Sequence, residues 1–242
     1  MHFEVDTHTH TVLSGHAHST IMENAAAAAQ NGVKGFVMSD HGPSIHAAPP
    51  EYNINTFTFI PHYLNGVRVY RGIEANITGF KGVLDIRDAY LKKLEFVIAG
   101  IHEVVLPTGG AKRDTGAVLA AMNNKYVDII AHPHNPNYAI ALEALVREAA
   151  RLGKLVEIND HSIGRKKESA RNAALLLEMC KKHGVRIAVA SDAHFAFGIG
   201  RFDSALELIE ASGFPVSLIV NATAGSFESY LEERKARTAE IQ

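Results

Sequence analysis

The sequence predicts a closed α/β barrel built as a single domain over residues 1–242, and two observations point there. Short apolar, β-rich runs alternate with amphipathic helical runs from one end of the chain to the other. Almost every apolar run also stops at a histidine or an acid. Near-continuous apolar strands separated by helices describe parallel strands covered by helices. Seven or eight such units in 242 residues favour a closed ring over an open sheet.

The strands are expected at 3–8, 35–40, 67–74, 95–101, 127–132, 155–159 and 186–192, with a further candidate at 217–221. Helical patterns cover 20–31, 112–124, 139–152, 168–183 and 202–212. Two stretches break this rhythm. Residues 42–66 carry Pro43, Pro49, Pro50 and Pro61 and read as a long loop. Residues 76–94 hold a short hairpin near Gly79–Ile86 and a short helix. Near the end, Glu232-Glu233-Arg234-Lys235-Ala236-Arg237 reads as a solvated helix end.

Composition narrows the function classes. With 47% hydrophobic residues the chain can build one sizeable core without disulfides or structural zinc. Its 24 basic and 26 acidic residues balance, so no global positive field argues for nucleic acid or a membrane surface. No apolar stretch approaches a membrane span, and Met1–Asp6 lacks the basic start and apolar run of a signal peptide. The expected location is the cytoplasm. The one cysteine, Cys180, lies in a helical pattern and reads as core filler.

Fourteen histidines are present, and their placement matters more than their number. The strand ends read Asp6-Thr7-His8-Thr9-His10, Ser39-Asp40-His41, Gly72-Ile73-Glu74, Gly100-Ile101-His102, Ala131-His132-Pro133, Glu157-Ile158-Asn159-Asp160-His161 and Ser191-Asp192-Ala193-His194. Side chains two apart on a strand share a face, so His8 pairs with His10 and Asp192 with His194. In a barrel those ends meet at one mouth, where catalytic residues collect. Packed together without metal, such groups would leave buried donors and acceptors unsatisfied, at roughly 1–3 kcal/mol each. Divalent cations remove that penalty. Paired cysteines and a His-Glu-x-x-His helix are both missing, which excludes finger-type zinc and zincin proteases. Imidazoles with a few carboxylates suit zinc, iron, nickel or manganese better than calcium or magnesium. The ligands outnumber what one ion can use, which implies two or three metals.

In this order His8-x-His10, His16, Asp40-His41, Glu74, His102, His132 and Asp192-x-His194 resemble the motifs of the PHP (polymerase and histidinol phosphatase) family along the whole chain. Asp40-His41-Gly42-Pro43, Arg71–Asn76 and Asn135-Pro136-x-Tyr138 are most similar to its YcdX-type bacterial phosphatases. That resemblance implies a distorted (β/α)7 TIM-like barrel with three divalent transition-metal ions, zinc first, with manganese or iron as alternatives. It assigns His8, His10, Glu74 and Asp192 to one metal, with Glu74 bridging to a second held by His102 and His132. The third would take His16, His41 and His194, with Asp40 fixing a neighbouring histidine. His18, His134 and His161 depart from the pattern; the first two read as rim residues, and His161 lies near the expected substrate.

The expected reaction is hydrolysis of a small phosphomonoester by metal-activated water. Asp192 and Glu74 are the catalytic acids, and His161 is a candidate proton donor to the leaving oxygen. Arg165 and Lys166, after the sixth strand, are candidates to grip phosphate, and the loop at 42–66 is expected to set substrate choice. Self-association of the barrel is allowed for, without an interface signal. Two rivals stand beside this reading. Amidohydrolases acting on C–N bonds also open with His-x-His but often need a bridging lysine, where this chain offers Glu74 and His102. A catalytically silent metal-binding regulatory module would be expected to lack ligands, and none of the nine is missing.

Overall fold

A computed structural model describes residues 1–239. Its strands are β1 (Val5–Thr9), β2 (Gly35–Met38), β3 (Tyr63–Leu64), β4 (Val67–Asn76), β5 (Phe96–Gly100), β6 (Ile129–Ile130), β7 (Leu155–Asn159) and β8 (Ile187–Ala190). All but β3 run parallel, in the order β1-β2-β4-β5-β6-β7-β8, while β3 forms an antiparallel hairpin with β4. The helices are α1 (Ile21–Gln30), α2 (Asp88–Leu91), α3 (Ala111–Met122), α4 (Leu142–Leu152), α5 (Asp160–Arg165), α6 (Lys167–His183), α7 (Asp203–Ser212) and α8 (Ala224–Thr238). None of them is long and apolar enough to cross a membrane. This is the closed α/β barrel that the alternating pattern predicts, in the distorted seven-stranded form that the family resemblance implies.

The strands are apolar throughout because both of their faces are covered. Phe36, Val97, Val156 and Val189 pack outward under the helices, whereas Val37, Phe96, Ile98 and Leu155 fill the barrel interior. Phe227, Tyr230 and Leu231 of α8 join that interior cluster and plug the end opposite the strand C-termini. The C-terminal run is a helix end solvated at Glu232, Glu233, Lys235 and Ala236, but not at Arg234 and Arg237. Arg234 is buried, with Nε 2.6 Å from Asp128 Oδ2, and Arg237 Nη2 lies 2.6 Å from Asp128 Oδ1. Asp128 is fully buried, so its charge needs these partners. Cys180 is buried core, as its pattern suggests.

Seven strands leave a seam between β8 and β1. At the mouth it closes through backbone bonds, His10 N to Ala193 O (2.9 Å) and Asp192 N to His8 O (3.0 Å). Further down, the chain after α7 wedges in. The candidate strand at 217–221 is instead a 3-10 turn, Val216–Leu218, followed by a single bridge between Ile187 and Ile219. There the Asn221 side chain takes the place of a strand. Its Nδ2 donates to Val5 O and Val189 O, both at 2.7 Å, and its Oδ1 accepts from Val189 N at 2.9 Å.

The prolines of 42–66 do not leave that segment shapeless. It contains 3-10 turns over Glu51–Phe59 and then β3. The hairpin expected after residue 76 forms, with Ile77 bridging Leu84. His134, expected at the rim, is fully buried instead. Its Nε2 accepts from Asn159 N (3.1 Å) and its Nδ1 pairs with Ser169 Oγ (2.8 Å), which ties β7 to α6. Burial, with the nearby His132 adding to it, pushes this imidazole down to about 3.

Asn221→Ala strands Val5 O and Val189 N and leaves Val189 O only the bond from Thr7 Oγ1, and is expected to lower unfolding stability by about 2–4 kcal/mol, read from urea midpoints. For His134 the unfolded ring binds a proton below its ordinary value and the folded ring does not. Stability is therefore present in full above the unfolded value of 6.5 and is lost as pH falls toward about 3. Urea unfolding of wild type and His134→Gln from about pH 7 to about pH 4 checks this. The wild-type curve should be steeper by up to one proton, about 1.4 kcal/mol per pH unit.

Candidate metal centre

Local backbone devices aim the ligands. Between Asp6 and Thr9 the register of β1 against β2 shifts, three residues passing opposite two. Val5 lies in the barrel interior, so strict alternation would put Thr7 and Thr9 there. The bulge turns His8 and His10 inward instead, which is what such irregularities do beside sites. His132 (φ +33°) and Asp192 (φ +54°) both occupy the left-handed region, a strained conformation for residues with side chains. At Gly100 a Cβ would fall 2.4 Å from Glu74 Oε1 and 2.6 Å from His102 Cε1, so only glycine lets these two groups approach.

Glu74 sits at the centre, almost fully buried. Its Oε2 lies 2.8 Å from His41 Nδ1, 3.3 Å from His8 Nε2 and 3.7 Å from His10 Nε2. Its Oε1 lies 3.1 Å from His102 Nε2 and 3.3 Å from His132 Nε2. Asp192 Oδ1 is 3.1 Å from His10 Nε2 and 3.7 Å from His8 Nε2. The nitrogens also face one another, His8 Nε2 to His10 Nε2 and His16 Nε2 to His194 Nε2, both at 3.0 Å. All nine ligand candidates thus gather in one cluster. Three subsets hold their ligand atoms within 4.8 Å of one another: His8, His10 and Glu74; His41, Glu74 and His102; and His10, His41 and His194.

The donor set fits metal ions. Glu74 Oε1 and His41 Nδ1 are buried without a hydrogen-bond partner, although hydrogen-bonding groups surround them. Nitrogens held by one tetrahedral zinc would stand about 3.3 Å apart, close to the spacings here. Burial works against ionised Glu74, but His102, His41 and His8 outweigh it and hold its carboxyl well below the usual range. Burial likewise opposes the charge on Asp192, and His8 and His10 keep it well below its ordinary value. Both carboxylates are therefore present as anions.

Behind the ligands stands a set of groups that the sequence reading missed. Buried Glu157 pairs through Oε1 with His8 Nδ1 (2.7 Å) and accepts His132 N (2.6 Å) and Asn159 Nδ2 (3.0 Å) on Oε2. Asn76 Oδ1 is 2.8 Å from His102 Nδ1, and Asp85 in turn accepts from Asn76 N (2.8 Å) and Nδ2 (2.6 Å). Such partners fix the tautomer and the ring orientation of a ligating histidine. One signal was readable for Glu157, a lone acid inside the apolar run Leu155-Val156-Glu157-Ile158. Asp40 holds no histidine directly. It accepts from Thr11 N, Thr11 Oγ1 and Ser14 Oγ, and reaches His10 Nδ1 only through Ser14 Oγ, 2.9 Å away.

A cavity of about 290 Å³ opens on the cluster. Its walls come from Ile101–Val104 and from the stretch His132–Ile140, with His161 at one side. The loop at 42–66 contributes nothing to it. Arg165 and Lys166 also lie outside the lining. Arg165 Nη1 donates to His161 Nε2 (3.2 Å), and Lys166 Nζ donates to Asn137 Oδ1, so each steadies a residue that does line the cavity. His18 is exposed at the rim, as expected.

The PHP domain family matches residues 6–210. A protein of Acetivibrio thermocellus described as a probable phosphatase is 42% identical over 237 residues, covering 98% of both chains. A probable phosphatase of Clostridium botulinum is 41% identical over 234 residues, covering 97% of this chain and 96% of that one. Among solved structures, the histidinol phosphate phosphatase of Lactococcus lactis, solved with zinc, L-histidinol and phosphate, superposes with a TM-score of 0.63 at 16% identity. That alignment covers 88% of this chain and 94% of the other, and at such identity it shows a shared fold. Sequence match and site geometry agree, and the chain is a member of the PHP domain family.

Proposed function

We propose that this chain is a metal-dependent phosphatase that hydrolyses small phosphomonoesters at a centre of up to three transition-metal ions. The observation that carries the reading is the carboxylate of Glu74, whose two oxygens face two separate sets of imidazoles. The relatives described as probable phosphatases supply the reaction class. His8, His10, Glu74 and Asp192 would hold one ion, Glu74, His102 and His132 a second, and His16, His41 and His194 a third. When bound, the ions would activate water and neutralise phosphoryl charge.

The chain's own residues do the rest. Asp192, an anion with one oxygen beside His10 and the other 3.2 Å from Asn159 Nδ2, is assigned to accept the proton of the attacking water. His161 is assigned to donate a hydrogen bond to the leaving oxygen, which takes its proton from water. Arg165 donates to its Nε2, so the neutral ring carries its hydrogen on Nδ1, and Arg165 is assigned to orient the ring rather than to touch phosphate. Lys166 positions Asn137 in the same way. The cavity is too small for a folded nucleic acid and suits a compact ester. An amidohydrolase often needs a bridging lysine at mid-barrel, where this chain offers Glu74 and His102, which counts against that reading.

Glu74→Ala should keep the far-ultraviolet circular dichroism of the wild type while bound metal falls by at least one ion per chain, read by elemental analysis. On the same samples, p-nitrophenyl phosphate turnover should drop by more than about 100-fold, beyond the effect of losing a partner behind a ligand. Full turnover by a metal-free variant would refute the assignment. Glu157→Gln should weaken zinc binding about 10–100-fold in a chelator competition, because His8 loses its charged anchor. An unchanged affinity would show that Glu157 serves packing alone.

A further inference from the structure

A second groove, of about 330 Å³, shares His161, Asp192 and His194 with the cavity described above. Its other walls include His18, Asp160, Phe195 and Arg201. The two spaces therefore meet at the metal ligands and differ in chemistry. The first is lined by apolar residues, asparagines and Glu103, whereas the second carries Arg201 and the exposed ring of His18.

Arg201 is exposed, and its guanidinium forms no hydrogen bond, ion pair or ring contact with the described residues. Arg165 nearby is already engaged with His161. Of the two carboxylates lining the groove, Asp192 belongs to the metal cluster. The other, Asp160, accepts from Ala205 N (2.8 Å) near the start of α7 and leaves Arg201 without an acid.

The backbone that carries Arg201 is nonetheless pinned. Arg201 N donates to Gly198 O (3.1 Å), Gly200 N to Asp6 Oδ2 (2.9 Å), and Asn31 Nδ2 to Ile199 O (2.6 Å). Gly200 turns at φ +73°, and a Cβ there would strike Val33 at 2.4 Å. An arginine on a pinned backbone, without an acid partner among the described residues and beside a centre proposed to handle phosphate, is equipped to take a further anion bidentately.

We propose that this groove receives a second anionic group of the substrate, held by Arg201 beside His18. The chain then selects phosphomonoesters that carry another phosphate or a carboxylate. This inference rests on the phosphatase reading, and the test separates the two.

The metal-loaded full chain is assayed with two matched pairs, fructose bisphosphate against fructose monophosphate and phosphoglycerate against glycerol phosphate. The wild type should favour the doubly anionic member of at least one pair in kcat/KM, and the responsive pair tells phosphate from carboxylate. In Arg201→Ala that preference should fall about 10- to 100-fold, the scale of one charge-assisted hydrogen-bond pair, and Arg201→Lys should restore part of it. A ratio unchanged by Arg201→Ala in both pairs overturns the proposal.

Should the metal-loaded wild type turn over none of these esters, the phosphatase reading is what fails. The groove is then judged by calorimetry, as the affinity for propylene bisphosphonate relative to methylphosphonate. A ratio that falls in Arg201→Ala supports the groove, and equal ratios in wild type and variant reject it.

Discussion

Glu74 holds an ionised carboxylate inside a barrel, where an uncompensated charge is strongly disfavoured, and much of the mouth is arranged to answer it. Five imidazoles approach its two oxygens from β1, the end of β2 and the ends of β5 and β6. Those imidazoles bring demands of their own. Glu157 answers for His8, Asn76 and Asp85 for His102, and Ser14 with Asp40 for His10. The candidate cation sites lie at the centre, where ligand atoms face one another.

The opposite end of the barrel obeys a different rule. There the interior is aliphatic and aromatic, closed by Phe227 and Tyr230, and the buried carboxylate of Asp128 is matched by Arg234 and Arg237. Stability is concentrated at this end and chemistry at the other, the usual division of labour in such barrels. Asn221 stands on the seam between them. Its three hydrogen bonds let seven strands close where regular pairing gives out, and so fix the spacing of β1 and β8 on which His8, His10 and Asp192 depend.

The repeating part of the fold was legible in the sequence, because apolar runs of strand and helix length report burial directly. Eight of the nine ligand candidates were legible for the same reason, as polar residues at the end of an apolar run, whereas His16 was named only through the family resemblance. Features that depend on a distant partner were not. Glu157 stands out only as a lone acid in an apolar run, and its role appears when the chain brings it to His8, 149 residues away. His134 looked like the rim because its partners, Asn159 N and Ser169, belong to a strand and a helix further on. Arg234 and Arg237 sit in a charged run whose composition signals solvent, and only Asp128 beneath α8 changes that. The β1 bulge has no signature of its own; both threonines and histidines can face either way.

Asn221 also has a bearing on the order of events as the protein is made. Its amide reaches back to Val5, 216 residues earlier in the chain. A ribosome delivers β1 with His8 and His10 well before Asn221, the residue that locks β1 against β8. Until Asn221 has emerged the nascent chain carries an open ring, with both histidines on an unpaired edge. Closure is a late, non-local step of the kind that slows folding. Ions captured before that step would meet only His8, His10 and whichever ligands had already arrived. A complete candidate centre therefore exists only once the seam between β1 and β8 has closed and brought Asp192 and His194 to His8 and His10.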